Sequence, residues 1–239
     1  MLVSLLIGVV VLNLLALALV VARGPVFGTR VYRPMLLNLV LSAVPLLVLI
    51  GGTTLWAVLL AAGAQTVGTV VIALAGVVWL LLLPNAGYLI TELNLSHRRP
   101  GERVPEWYDV LLVLTLAMSG VLTTVLNVFL VQLGYVLVRF GDSAASLAGP
   151  SARVLVGVLL VLVAFGVYLG RNVRVSSWDV LRPWRLVGAI VAHLRTPGAL
   201  GSAIGFTLLA TVFFTTMYLV IAGPMIQGLI DLETARPGL

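Results

Sequence analysis

Apolar residues in this chain come in long unbroken runs rather than in alternation or narrow stripes. Leu2 to Val21 carries no charge at all, and comparable runs follow to the far end. Six segments can be drawn, at about 2–22, 34–62, 67–83, 110–138, 153–170 and 200–222. Roughly 18 or more apolar residues in helical form cross a bilayer. In hydrocarbon the backbone must satisfy its own hydrogen bonds, which selects helices over open strands. The pattern therefore predicts an all-α, polytopic membrane protein with about six transmembrane helices, forming a single transmembrane domain over residues 1–239.

Two stretches depart from that pattern. Gly51, Gly52, Thr53 and Thr54 interrupt the second run. The second helix could stop near Ile50, leaving 55–62 as a short surface piece or as part of the third helix. Eight residues span only about 12 Å as a helix, too little to cross alone, so the count stays at six. Residues 178–195 show the other departure: Trp178, Leu181, Trp184, Val187, Ile190, Val191 and Leu194 recur at three- and four-residue steps, with arginines between them. Such a segment is predicted to lie in the headgroup plane as an interfacial amphipathic helix between helices five and six, with Pro183 in its first turn. Pro45 is expected to kink helix two, and Pro224 to end or kink helix six.

Composition agrees with insertion. The 239 residues are 61% hydrophobic and only 9% charged, against about a quarter charged in a soluble domain. There is no cysteine, which excludes disulfides, thiolate metal sites and cysteine nucleophiles. There is no lysine, so all 14 basic residues are arginine. In a soluble protein a net charge of +6 would suggest nucleic acid. Here the arginines flank helices, and no nucleic acid partner is expected.

Their distribution gives an orientation. Loops after helices one, three and five hold Arg23, Arg30, Arg33, Arg98, Arg99, Arg103, Arg171, Arg174, Arg182, Arg185 and Arg195, which is eleven. The other side holds Arg139, Arg153 and Arg236, which is three. Positive charge marks the cytoplasmic side, so both termini are expected outside, with the first segment retained as a helix. Glu92, Glu102, Glu106, Asp109 and Asp179 fall on the arginine-rich side; Asp142, Asp231 and Glu233 fall opposite. No acidic residue sits mid-segment, which disfavours an ion or proton path. The milder polar residues Asn13, Asn38, Thr115, Ser119, Thr123, Thr124, Asn127 and Gln132 read as helix packing.

Three polar clusters share the arginine-rich side: PNAGYLITELNLSH from Pro84 to His97, PEWYD from Pro105 to Asp109, and GRNVRVSSWD from Gly170 to Asp179. Together they resemble the bacterial membrane family called domain-of-unknown-function family 1361, whose members carry a PNxxYxxTDL-like stretch, a WYD-like triplet and a GRxxRxNSWD-like stretch in this order. The resemblance extends over nearly the whole chain, including LNLVLSAVPL around Asn38 and Pro45. Glu92 stands where the family pattern has aspartate, and Ser176 where it has asparagine; both changes keep the side-chain chemistry. The resemblance implies the architecture and a site in the bacterial cytoplasmic membrane, but no reaction.

The candidate cluster comprises Asn85, Tyr88, Glu92, Trp107, Tyr108, Asp109, Arg171, Arg174, Ser176, Ser177, Trp178 and Asp179. Two readings use it. As a polar latch, Arg171 and Arg174 pair with Glu92, Asp109 or Asp179 and pin helices three, four and five, while Ser176 and Asp179 form a capping box and Asn85 caps the point after Pro84 where helix three is expected to unwind. As a binding cleft, the arginine forks hold an anionic lipid headgroup or polyprenyl-phosphate, or the carboxylates serve as general base or metal ligands. His97 and His193 are expected to be solvated at the interface. No metal site, cofactor or complete catalytic set is expected. The reading preferred is a non-enzymatic accessory or scaffold subunit of a membrane complex, with membrane lipids and other membrane subunits as partners. The alternative is an enzyme or binding protein for such a lipid. A transporter is disfavoured, since no inverted repeat or midplane charge is seen.

Overall fold

A computed structural model of the chain describes residues 2–30, 32–93, 103–173 and 183–235. The described residues are almost entirely helical, with no strand among them. Six helices are long and apolar enough to cross a membrane. In chain order the helices are α1 (Leu2–Phe27), α2 (Arg33–Ala61), α3 (Gln65–Leu82), the single turn α4 (Pro84–Tyr88), α5 (Glu106–Phe140), α6 (Pro150–Asn172), α7 (Pro183–Leu194) and α8 (Ala199–Thr234). Short 3-10 segments follow α4 at Leu89–Leu93 and α5 at Ala144–Ala148.

Several helices outrun their apolar runs. α1 continues through Arg23 and Pro25 to Phe27. α2 passes Gly51 and Gly52 without a break, and Thr53 folds its hydroxyl back onto the Leu49 carbonyl at 2.8 Å. The break near Ile50 is therefore absent. The glycine has a packing role instead: a Cβ at Gly52 would lie 2.6 Å from the Ala75 Cβ, so α2 and α3 meet there backbone to side chain. Gly63, at φ +77, lets the chain reverse between them, and the amides of Ala62, Gly63 and Ala64 close onto the last carbonyls of α2. Nor does helix three unwind at Pro84: Leu83 stays helical (φ −53, ψ −39), and Pro84 opens α4, where a missing N–H costs nothing. Pro224 does not end α8, which runs on to Thr234.

The chain divides into two compact units. One runs from Gly8 to Thr123 and takes in most of α1, then α2, α3, α4 and the first half of α5. Its core joins Ala16 and Val20 of α1, Met35 and Leu39 of α2, Leu89, and Val104, Tyr108, Leu112, Val113 and Leu116 around the start of α5. A row of α1 positions at three- and four-residue steps turns inward: Val9, Asn13, Ala16, Val20, Arg23 and Phe27, with Val9, Ala16, Val20 and Arg23 fully buried.

The other unit holds residues 2–7, the second half of α5 from Thr124, α6, α7 and α8. Leu160, Val163, Ala164 and Val167 of α6 are buried, as are Phe214, Tyr218 and Ala222 of α8. α7 has 12 residues, about 18 Å of helix, too short to cross. It presents Trp184, Val187 and Val191 outward. His193 on its other side is half-buried, and its Nε2 lies 3.0 Å from the buried Tyr168 hydroxyl. That hydroxyl donates to the Ala199 carbonyl at 3.1 Å. His193 is therefore more than a solvated interfacial residue: it ties α7 to α6 and to the start of α8. Tyr168→Phe is expected to lower stability by about 1 kcal/mol and to speed amide hydrogen exchange across Pro183–Leu194 selectively. Exchange followed peptide by peptide checks this.

Candidate functional site

The first unit carries its buried charge where α1 ends and α5 begins. Arg23 and Asp109 are 4% and 0% exposed. The Arg23 Nε donates to Asp109 Oδ1 at 2.9 Å, and Nη2 approaches Oδ2 at 3.4 Å. This two-point fork matches a planar guanidinium to a planar carboxylate. Nη1 donates to the Thr29 hydroxyl at 3.3 Å, and that hydroxyl donates in turn to the Arg23 carbonyl at 3.1 Å. The turn after α1 therefore wraps its own arginine and aims it.

Next to Asp109, Tyr108 donates from its hydroxyl to the Leu19 carbonyl at 2.7 Å. Its ring meets Phe27 edge-on at 4.8 Å between centroids. Trp107, 63% exposed, stands beside it on the outer surface. The WYD triplet thus separates into three tasks. Trp107 faces outward, Tyr108 grips the α1 backbone, and Asp109 neutralises Arg23.

A second polar contact borders the same apolar cluster. Asn38, one turn into α2, donates from Nδ2 to Glu92 Oε1 at 2.6 Å. Glu92 sits in the 3-10 turn after α4, where the Thr91 hydroxyl holds the Tyr88 carbonyl at 2.7 Å. Asn85 and Tyr88 are half-buried in α4. α5 packs against this turn with almost no clearance, since a Cβ at Gly120 would lie 2.8 Å from the Ala86 carbonyl oxygen.

Deeper in the unit, Asn13 donates to the Thr123 hydroxyl at 3.2 Å and to the Val9 carbonyl at 2.8 Å. Thr115 and Ser119 return their hydroxyls to Leu111 and Leu116 of their own helix. In the other unit, Gln132 donates to the Leu147 carbonyl at 2.8 Å and accepts a short hydrogen bond from the Tyr218 hydroxyl. These polar residues are engaged within or between helices, as packing requires.

Of the candidate residues, the structure brings Asn85, Tyr88, Glu92, Trp107, Tyr108 and Asp109 into the first unit. Arg171 ends α6 in the other unit and is exposed there. Asp109 takes Arg23 as an ionic partner. Arg174, Ser176, Ser177, Trp178 and Asp179 lie outside the described residues, as does His97. Among the described residues no three of His, Asp and Glu gather as metal ligands would.

Arg23 is the principal residue that motif reading missed, together with Thr29 and the carbonyl of Leu19. The available signal was the inward row on α1, on which Arg23 follows Ala16 and Val20 at helical spacing. Chemically, the arrangement neutralises charge within the fold. The bonds observed hold helices to one another, and Asp109 and Glu92 are both engaged by protein donors.

A family model described as "Protein of unknown function (DUF1361)" matches residues 37–220, well over half of the chain. No curated protein and no solved structure matches.

Proposed function

The chain belongs to the family of proteins of unknown function DUF1361, and we propose that it is a non-enzymatic accessory or scaffold subunit of a larger membrane complex. One observation carries this reading. The acidic residues of its two described motifs, Asp109 and Glu92, are held by Arg23 and Asn38 in internal bonds, so the motif acts as a latch rather than as a reagent. The broad apolar faces of α1, α2, α3 and α8, exposed at residues such as Leu14, Leu47, Leu74 and Leu209, suit burial against lipid or neighbouring subunits. We place the protein in a bacterial cytoplasmic membrane with both termini outside, from the eleven-to-three arginine split. Arg30, Arg33 and Arg103, all exposed, then meet anionic headgroups, and α7 lies in the interface with Trp184 at its surface.

The intact chain, purified in mild detergent, is expected to bring a second membrane polypeptide in fixed stoichiometry. That complex should survive replacement of the buried pair by apolar residues, Arg23→Met with Asp109→Leu. Loss of the complex from a variant that still folds would identify the pair as a chemical site and sink the latch reading.

A second reading, an enzyme or binding protein for an anionic lipid or polyprenyl-phosphate, draws on the exposed Arg30, Arg33 and Arg103. A folded Arg30→Gln/Arg33→Gln/Arg103→Gln variant that releases a phospholipid bound by the parent would favour it.

A further inference from the structure

A groove of about 400 Å³ lies in the second unit between α6 and α8 and the second half of α5. Its volume falls in the range of small-molecule sites, about 300–1,000 Å³. Val156, Leu160, Leu219 and Ile226 form its walls. Besides the half-buried Thr215 and the exposed Gln227, its uncharged polar lining is Gln132 and Tyr218, both buried. Their polar atoms are already engaged: Tyr218 donates to Gln132, and Gln132 donates to the Leu147 carbonyl. The deep part of the groove therefore suits a hydrocarbon chain and not a polar head. Leu219, 63% exposed, forms part of the edge, so the groove opens sideways, toward the surface the spanning helices present to lipid.

Its charge sits at one end. Arg153, in the first turn of α6, lines the groove and is exposed. Its guanidinium has no hydrogen-bond or ion-pair partner among the described residues. The first turn of α6 also lacks a side-chain cap, so its amides add partial positive charge. Across the groove, Gln227 donates to Asp231 at 3.0 Å. The other carboxylate near the end of α8, Glu233, accepts from the Ala145 amide at 3.2 Å, so both acids of α8 already have donors.

We propose that this groove binds one glycerophospholipid, with an acyl chain along the apolar walls and the phosphodiester on Arg153. The match is one of order as well as of type. The arginine lies at the helix end, and the hydrocarbon lining extends inward from it to Leu160 and Leu219, as headgroup and tail do in a leaflet.

Native mass spectrometry of the full chain tests this, with dioleoyl phosphatidylglycerol as probe and dioleoylglycerol as the phosphate-free control. The phospholipid adduct should persist, and the diacylglycerol adduct should be about tenfold weaker, the effect of losing one charge-assisted contact. Arg153→Gln should weaken the phospholipid adduct by a similar factor. Arg139→Gln makes the same charge change at the end of α5, away from the groove lining, and should not.

Gly157 also lines the groove, and a Cβ there meets nothing within 4 Å. Gly157→Leu should therefore fill the groove and remove the adduct, while the unfolding temperature of lipid-free protein stays unchanged. If that variant does not fold, Gly223→Leu fills the groove from α8, again with no neighbour within 4 Å of the new Cβ. Three outcomes would overturn the proposal. The adduct could be indifferent to both Arg153→Gln and the filled groove. Arg139→Gln could weaken it as much as Arg153→Gln does, showing diffuse attraction only. Filling the groove could convert a dimer to a monomer, making the occupant a second copy of the chain.

Discussion

Asp109→Ala is expected to be among the most damaging single substitutions in the protein. It removes the carboxylate that the buried Arg23 guanidinium, 4% exposed, forks to. Removing one member of a buried pair typically costs about 3–5 kcal/mol, because the remaining charge stays desolvated. That is a large share of the total stability of an ordinary domain, about 5–15 kcal/mol. Asp109→Asn should be milder, since the amide oxygen still accepts from the Arg23 Nε while the charge is lost. Removing both charges should behave differently. Apolar residues of similar volume often replace a buried pair at no net cost, so Arg23→Met with Asp109→Leu should recover most of the loss. Tryptophan-detected thermal unfolding in detergent measures all three. An Asp109→Ala protein that unfolds at the parent temperature would mean that the pair does not hold α1 to α5.

Gly120→Ala is the second. Alanine normally gains about 0.5–1 kcal/mol over glycine inside a helix. Here the new methyl would sit 2.8 Å from the Ala86 carbonyl oxygen and 2.8 Å from the Leu89 Cβ. The first of these is backbone and cannot swing aside, so α5 must move off the α4 turn. Overpacking of this kind costs about 1–3 kcal/mol, enough to reverse the helix gain. Gly134→Ala, on the same helix with nothing within 4 Å of the new Cβ, supplies the contrast and should be neutral or mildly stabilising. The same unfolding measurement checks both, and equal behaviour of the two variants would contradict the close approach of α5 and α4.

The six spans were legible because hydrocarbon imposes one requirement on all of them, length with few charges. Helix ends were less legible, because a helix does not stop where its hydrophobicity does. α1 carries its hydrogen bonding through Arg23 and Pro25 to Phe27, and α8 passes Pro224 by nearly three turns. Part of the site was legible as well: the WYD triplet and Glu92 do lie at one junction of the first unit. Arg23 was not, because counting arginines by loop treats each as an interchangeable flanking charge. Only its phase on the helix separates it from the exposed Arg30 and Arg33. The matched family region begins at residue 37, after Arg23, so the residue that pairs with Asp109 lies outside it. The chemical partner of a motif need not belong to the motif.

The Arg23–Asp109 pair also has a consequence in time. Its members are 86 positions apart, and chains emerge from the ribosome at about 5–20 residues per second. For roughly 4–17 s, then, the first helix exists with an arginine whose carboxylate has not yet been made. Until then the Arg23 guanidinium has its local partner, the Thr29 hydroxyl six residues on, but not the carboxylate that forks to it from α5. The fork between α1 and α5 can therefore close only when the WYD segment arrives, so the end of α1 takes its final partner late in the synthesis of its unit.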